Sequence, residues 1–400
     1  MKSTVRNVVT GLTVFCMILV SLGVRAARTK QQARDHVKAG FLYVGDAATS
    51  YTANFIRAEN SLKTEFGDQV ETVSLANVSE ANSETALRTL AEEGCDIIFA
   101  TSYGFGEAAK KVAFEYPDIQ FCQATCDNAN TEPVLDNYHT FMGEIYEGRY
   151  VTGVIAGLKL RELVKSGIIS EEEAVVGYVA AFPFAEVISG YTAFFLGVRS
   201  IMPEAVMRVR YSGTWSEYAV EYQLANQLID EGCVIISQHS DTIGPAVACE
   251  EAREKGRTVY HVGYNQSMTT VAPSASLTSS RINWVPYVTG AVRAVMQNEK
   301  IEDSVPGDVH GNDIGAGFEA DWVQIVEINE SIAAKGSTQI AESLIEQFRN
   351  GEIEVFKGSY TGVNPSDPAD TIDLSEGYQE NALSSAPRFC YVLDDVIKVE

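Results

Sequence analysis

The sequence predicts an α/β protein of two similar parallel-sheet lobes joined by a hinge. Three observations predict it. The chain has 400 residues, room for two domains at roughly 100–200 residues each. Short β-rich runs alternate with helical segments, the pattern of parallel sheets carrying helices on both faces. One segment is also repeated. Residues 90–102 read LAEEGCDIIFATS and residues 228–240 read LIDEGCVIISQHS, identical at seven of thirteen positions at an offset of 138.

Each copy has the same physical meaning. An amphipathic helix ends at a glycine (Gly94, Gly232) that can take the left-handed terminal conformation. A short apolar run follows, Ile97 to Ala100 and Val234 to Ser237, of the continuous kind found in buried parallel strands. A polar loop then opens at Ser102 or Ser240, and a second helix is expected near Gly106 or Gly244. The neighbourhood repeats as well. FLYVG at 41–45 corresponds to GYVAA at 177–181, and ETVSLANVSE at 71–80 to RVRYSGTWSE at 208–217. A period this long is one duplicated lobe and not a solenoid repeat. The expected division is residues 37–137 plus about 276–300 for the first lobe. Residues 138–275 plus about 301–400 form the second, the last hundred being a tail with a helix near 337–350.

The N-terminus has the features of an export signal. Lys2 and Arg6 precede an apolar run from Val8 to Val24, and Val24-Arg25-Ala26 offers a small-residue exit before Ala27. Residues 1–26 are therefore expected to be a signal peptide or an N-terminal membrane anchor. Either reading places the rest of the chain at the outer face of the cell membrane or in the periplasm. Cys16 lies inside the apolar run, the wrong place for a lipid-anchoring site. The formal net charge of −24 excludes sequence-independent nucleic-acid binding, which needs Lys and Arg to neutralise phosphates. The six cysteines beyond the signal follow no zinc or redox spacing. They are expected to be structural thiols, a Cys122–Cys126 bridge being the alternative.

Catalytic and metal motifs are not found in a supporting context. The sequence has no P-loop, dinucleotide fingerprint or nucleophile elbow where a strand-to-helix turn would support one. The five histidines are scattered. GDVHGND at 307–313 resembles a metallo-phosphatase loop, but a dinuclear site needs several more such clusters, and an acidic turn is the expectation. No catalytic residue, metal or cofactor is assigned.

Ligands of open parallel sheets bind beyond the carboxyl ends of the strands, and two such lobes facing each other make one cleft. Its expected loops carry Tyr51, Tyr103, Phe105, Phe182, Phe184, Trp215, Tyr264 and Trp284. Flat rings offer stacking surface to a planar ligand, worth about 1–3 kcal/mol per base. Short polar groups accompany them: Ser102, Thr125, Asp241, Asn265, Gln266 and Ser267. Such groups orient a ligand in an apolar pocket. Asp241 could accept from a ring N–H or an exocyclic amine, or cap the helix near Gly244. Glu186 is equally ambiguous.

Several stretches resemble the basic membrane protein, PnrA-like family of substrate-binding components of ABC importers. They include FLYVGDAATSYTANF at 41–55, DIIFATSYGFGEAAKKVAFEYPDIQF at 96–121, YEGRYVTGVIAG at 146–157 and VVGYVAAFPFAEVISGYTAFFLGVRS at 175–200. GTW at 213–215, QHSDT at 238–242 and INWVPY at 282–287 extend the likeness, which covers roughly residues 37–300 in order. The resemblance implies a type I periplasmic-binding-protein fold, a purine nucleobase or nucleoside held between aromatic rings, and an ABC permease as partner. Carried over by position, Tyr51, Ser102, Tyr103, Phe182, Trp215 and Asp241 fall on the family's binding loops. Thr125, Asn265 and Trp284 complete the expected ligand-binding set from the strand-end argument. The DAATS loop after Gly45 is shorter than the family's pattern, and YNQSM at 264–268 lacks its acidic residue, so a bare nucleobase or another planar ligand is favoured over a ribose-bearing one. The expected function is capture of a small planar ligand without chemistry. A sensor ectodomain and a nucleoside-cleaving enzyme are the alternatives.

Overall fold

A computed structural model describes residues 33–400. The predicted signal at 1–26 lies outside the described residues. Among the described residues, no helix is long and apolar enough to cross a membrane.

The first sheet takes β1 (Val37–Leu42), β2 (Val70–Leu75), β3 (Ile97–Ala100), β4 (Gln120–Ala124) and β5 (Tyr138–Gly143). The second takes β6 (Val175–Ala180), β7 (Val206–Tyr211), β8 (Ile235–His239), β9 (Tyr260–Tyr264) and β10 (Ser276–Ile282). Between them run α1 (Ser50–Phe66), α2 (Ser83–Glu92), α3 (Gly106–Glu115), α4 (Ile145–Lys165), α5 (Ala185–Ile201), α6 (Tyr218–Asp230), α7 (Gly244–Glu254) and α8 (Val285–Gln297). Then follow a short α9 (Ile301–Ser304), β11 (Asp308–His310), β12 (Asp313–Ala316), β13 (Val323–Ile328) and α10 (Ser337–Arg349). The chain ends in β14 (Thr361–Asn364), β15 (Asp367–Asp373), β16 (Val392–Leu393) and β17 (Ile397–Val399).

The strand orders are β11-β12-β5-β4-β3-β1-β2 and β13-β10-β9-β8-β6-β7-β17, with a small third sheet β15-β14-β16. Pairing is parallel throughout both large sheets except at β11–β12 and β10–β13. The repeat is visible in this order, β1 lying between β3 and β2 as β6 lies between β8 and β7. β1 and β6 start and end at the predicted offset of 138. The equivalence drawn between 41–45 and 177–181 is thus two residues out of step, a slip that preserves faces because strand side chains alternate with period two. Gly94 and Gly232 both adopt positive φ at their helix ends, 80° and 90°.

The lobe boundaries differ from the expectation. β5 belongs to the first sheet and does not open the second, while β10 belongs to the second sheet. β11 and β12 return to the first sheet, so residues 308–316 are not part of a tail on the second lobe. The helices after β5 and β10 are what change lobe. Gly153 of α4 and Gly197 of α5 let these two helices touch, since a Cβ on Gly153 would lie 1.9 Å from the Phe194 carbonyl oxygen. In return, Trp284 at the start of α8 stacks on Phe55 of α1 at 4.4 Å. These contacts bury apolar surface far apart in sequence, which local periodicity cannot foresee.

The chain therefore crosses between lobes three times, at Glu144, at Asn283–Trp284 and between β12 and β13. Backbone hydrogen bonds knit the crossings together: Glu144 N donates to Ala316 O at 2.9 Å and Asn283 N to Trp322 O at 2.7 Å. Buried Glu147 accepts from Phe318 N at 2.7 Å, which caps a donor at the third crossing. Cys95, Cys122, Cys126, Cys233, Cys249 and Cys390 are all free. The GDVHGND stretch forms the β11–β12 hairpin, with the Asp313 carboxylate accepting from Thr140 Oγ1 at 2.7 Å.

Candidate functional site

The carboxyl ends of both sheets face one cavity of about 160 Å³. Each wall comes from a strand-end loop or the helix after it. β1 leads into Val44 and Gly45, and the α1 entry supplies Thr49, Tyr51 and Thr52. β3 supplies Ser102 and Tyr103, and β4 supplies Thr125. From the second lobe come Glu186 in the first turn of α5, Trp215 and Ser216 after β7, His239 and Asp241 at the end of β8, and Tyr264 at the end of β9.

The lobes touch across this cavity. Ser50 Oγ donates to the Asp241 carbonyl at 3.1 Å, and Asn54 Nδ2 donates to the Asn265 carbonyl at 3.0 Å. At the mouth, the Tyr103 and Phe184 rings meet at 6.1 Å although they are 58% and 45% exposed. The first lobe fixes its own polar groups tightly. Tyr51 donates its hydroxyl to Thr101 O at 2.5 Å, and Ser102 Oγ bonds Glu80 Oε1 at 3.1 Å. Gln123 Nε2 donates to Ser102 O at 2.7 Å. Thr125 and Asn265 both hold positive φ, 62° and 64°, one residue past β4 and β9. A β-branched residue there is a backbone outlier, and such strain clusters at ligand sites.

The second lobe supplies the charge. Asp241 accepts from Asn265 Nδ2 at 3.1 Å. It does not cap α7, whose N-cap is Ile243. Burial, and next the nearby Glu221, push its carboxyl up to about 7. His239 Nε2 stands 3.5 Å from Glu186 Oε1 without hydrogen-bond geometry. Burial first, and then Arg149, lower the imidazole to about 4, so the ring is neutral at pH 7. Both His239 ring nitrogens and Thr52 Oγ1 are buried without a hydrogen-bond partner among the described residues. All three belong to cavity-lining residues, where a bound molecule can satisfy them.

Of the expected residues, Tyr51, Ser102, Tyr103, Thr125, Trp215 and Asp241 converge on the cavity. Three stand back from it. Phe182 stacks on Phe184 at 5.1 Å and meets Trp215 at 5.3 Å, supporting the rim. Asn265 orients Asp241 and receives Asn54. Trp284 is buried against Phe55 and Phe141 as core, because the α8 crossing carries it behind the first sheet.

Sequence reasoning did not select His239, Tyr264 or Glu186 for the binding set. The repeat contained the signal, since His239 immediately precedes the Ser240–Asp241 strand end. Arg149 was also missed. It is buried on α4, its Cζ 3.6 Å from the Tyr264 ring centroid, with Nη1 donating to Gln238 O at 2.9 Å. A cation at that distance from an aromatic face is attracted by the ring quadrupole, and it fixes the back of Tyr264. Among the described residues, no group of His, Cys, Asp and Glu is arranged to hold a metal ion.

Comparisons with known proteins agree with this architecture. The family model for PnrA-like ABC transporter substrate-binding proteins matches residues 36–355. A purine-binding protein of Brucella abortus is 33% identical over 266 residues, covering 66% of this chain and 70% of that protein. A putative ABC transporter glucose-binding protein of Haloferax volcanii is 30% identical over 328 residues, 81% of this chain and 75% of its own. Among solved structures, an ABC transporter solute-binding protein of Aeropyrum pernix superposes with a TM-score of 0.64 at 17% identity. It covers 83% of this chain and 94% of its own. A two-sheet fold with strand ends facing one cavity, matched over four-fifths of the chain by the family model, identifies the chain as a member of the PnrA-like family of ABC transporter substrate-binding proteins.

Proposed function

We propose that this protein captures a purine-type nucleobase between its lobes and hands it to an ABC permease. The observation that carries this reading is the lining of the cavity. Tyr51, Tyr103, Trp215 and Tyr264 present rings from both lobes, while Asp241 and Glu186 present acceptors from one. Rings stack on a planar heterocycle, and carboxylates accept its N–H groups. The volume of about 160 Å³ supports a bare base over a nucleoside, since a cavity of about 150 Å³ already holds benzene. The name of the Brucella relative supports the same ligand class.

A sugar is the second reading, supported by the Haloferax relative's name and by two carboxylates able to accept hydroxyl hydrogen bonds. One thermal-shift series separates the two. Adenine, hypoxanthine, guanine, their nucleosides, pyrimidines and glucose are tested against the ligand-free protein. A true ligand at a hundred times its Kd stabilises by about 2.7 kcal/mol. The expected result is a clear rise with a free purine, a smaller rise with its nucleoside and none with glucose. A rise with glucose alone overturns the purine assignment.

A further inference from the structure

We propose that residues 380–389 form a strap that joins the two lobes beside the hinge and limits how far the cleft opens. The strap lies beyond residue 355, where the match to the family ends. It is held at one end by the second lobe. Glu380, 2% exposed, accepts Ser189 Oγ of α5 at 2.7 Å and the strap's own Arg388 N at 2.7 Å. Five residues later the strap reaches the first lobe. Ser385, fully buried, donates N and Oγ, each at 2.6 Å, to the two oxygens of Asp313 on β12. Asp313 is anchored in turn by Thr140 of β5. The strap backbone lies directly on β12, since a Cβ on Gly315 would sit 3.1 Å from Ser385 Cβ. Arg388 adds an ion pair to Asp127 of the first lobe at 3.6 Å.

The segments flanking the strap keep it from simply following the first lobe. Ahead of it, Tyr360 accepts from Arg199 Nε of α5 at 3.0 Å. Behind it, β17 pairs with β7 at the edge of the second sheet. Its apolar side is packed too: Phe389 stacks on Phe356 at 4.3 Å, and Phe356 meets Tyr146, just past the first crossing, at 5.7 Å. The chain thus has three covalent crossings and a fourth, non-covalent one built from buried hydrogen bonds. Wide opening must separate Ser385 from Asp313, leaving a buried carboxylate short of donors, which low-dielectric surroundings disfavour. Restricting the open form enlarges the binding-competent fraction and so tightens apparent affinity.

The test is small-angle X-ray scattering on the ligand-free full chain, which needs no knowledge of the ligand. Asp313→Asn weakens the first-lobe end of the strap. A Ser189→Ala/Ser385→Ala double variant removes one hydroxyl from each end and leaves Glu380 and Asp313 their remaining donors. The expected result is an upward shift in radius of gyration and maximum dimension for both variants, with far-UV circular dichroism unchanged. If Asp313→Asn loses its circular dichroism, the double variant decides alone. Scattering identical to the wild type in every variant that remains folded overturns the proposal.

Discussion

Replacing Asp241 by Asn removes the one cleft carboxyl whose ionisation the fold opposes most directly. Its ordinary value of 3.8 is raised to about 7, by burial first and Glu221 second. Roughly three pKa units correspond to about 4 kcal/mol. Because the residue is only partly buried and meets the cavity, this is a ceiling. The sign follows from proton counting. Between pH 3.8 and 7 the folded protein holds a proton that the unfolded chain has released. Stability therefore falls as pH rises across that window, by at most about 1.4 kcal/mol per pH unit from this residue. Below pH 3.8 the group is protonated in both states and contributes nothing to the slope. Asn cannot ionise, yet its amide oxygen still accepts from Asn265. The ligand-free variant is therefore expected to melt level with wild type near pH 4 and a few degrees above it at pH 8, at about 1–1.5 °C per kcal/mol for a chain of 400 residues. Glu144 and Glu147, raised to about 8 and about 9 chiefly by burial, are present in both proteins and cancel. Differential scanning calorimetry from pH 4 to 8.5 measures the difference. A gap between variant and wild type that is constant across this range refutes the reasoning.

Four further outcomes are expected. Trp215→Ala removes one ring from the cavity wall and should weaken purine binding by about 1–3 kcal/mol, or roughly 5- to 150-fold; an unchanged Kd by calorimetric titration contradicts the stacking role. Asn54→Ala deletes an interlobe hydrogen bond without touching the cavity, so affinity should drop by about 1 kcal/mol, with faster ligand release in stopped-flow measurements. Gly153→Ala drives a methyl into the Phe194 carbonyl and should cost about 1–3 kcal/mol of stability, visible as a lowered Tm at neutral pH. Raising NaCl from 0.05 to 1 M shortens the screening length to about 3 Å and should raise Tm, because a net charge of −24 repels itself in the compact state.

Much of this architecture is legible in the sequence because its cause is local. Gly94 and Gly232 end helices by a conformation that glycine takes without strain, and the apolar runs that follow have no exposed face. Those two features, met twice at a fixed offset, are enough for two parallel-sheet lobes. They also place Ser102 and Asp241 at equivalent strand ends on one cavity. What the sequence reading misplaced is the lobe that β5, β10 and the β11–β12 hairpin join. That placement rests on Gly153 meeting Phe194 and Trp284 meeting Phe55, contacts between residues tens to hundreds of positions apart. The same cause removed Trp284 from the binding set and brought in His239, Glu186 and Tyr264. By itself, then, the sequence determined the lobes and the strand ends that face the cleft, because hydrogen-bond periodicity and backbone propensity act over a few residues. Only the tertiary structure decided the three crossings, the buried Arg149 behind Tyr264 and the bridge from Glu380 to Ser385, because burial and charge pairing depend on neighbours that only folding supplies.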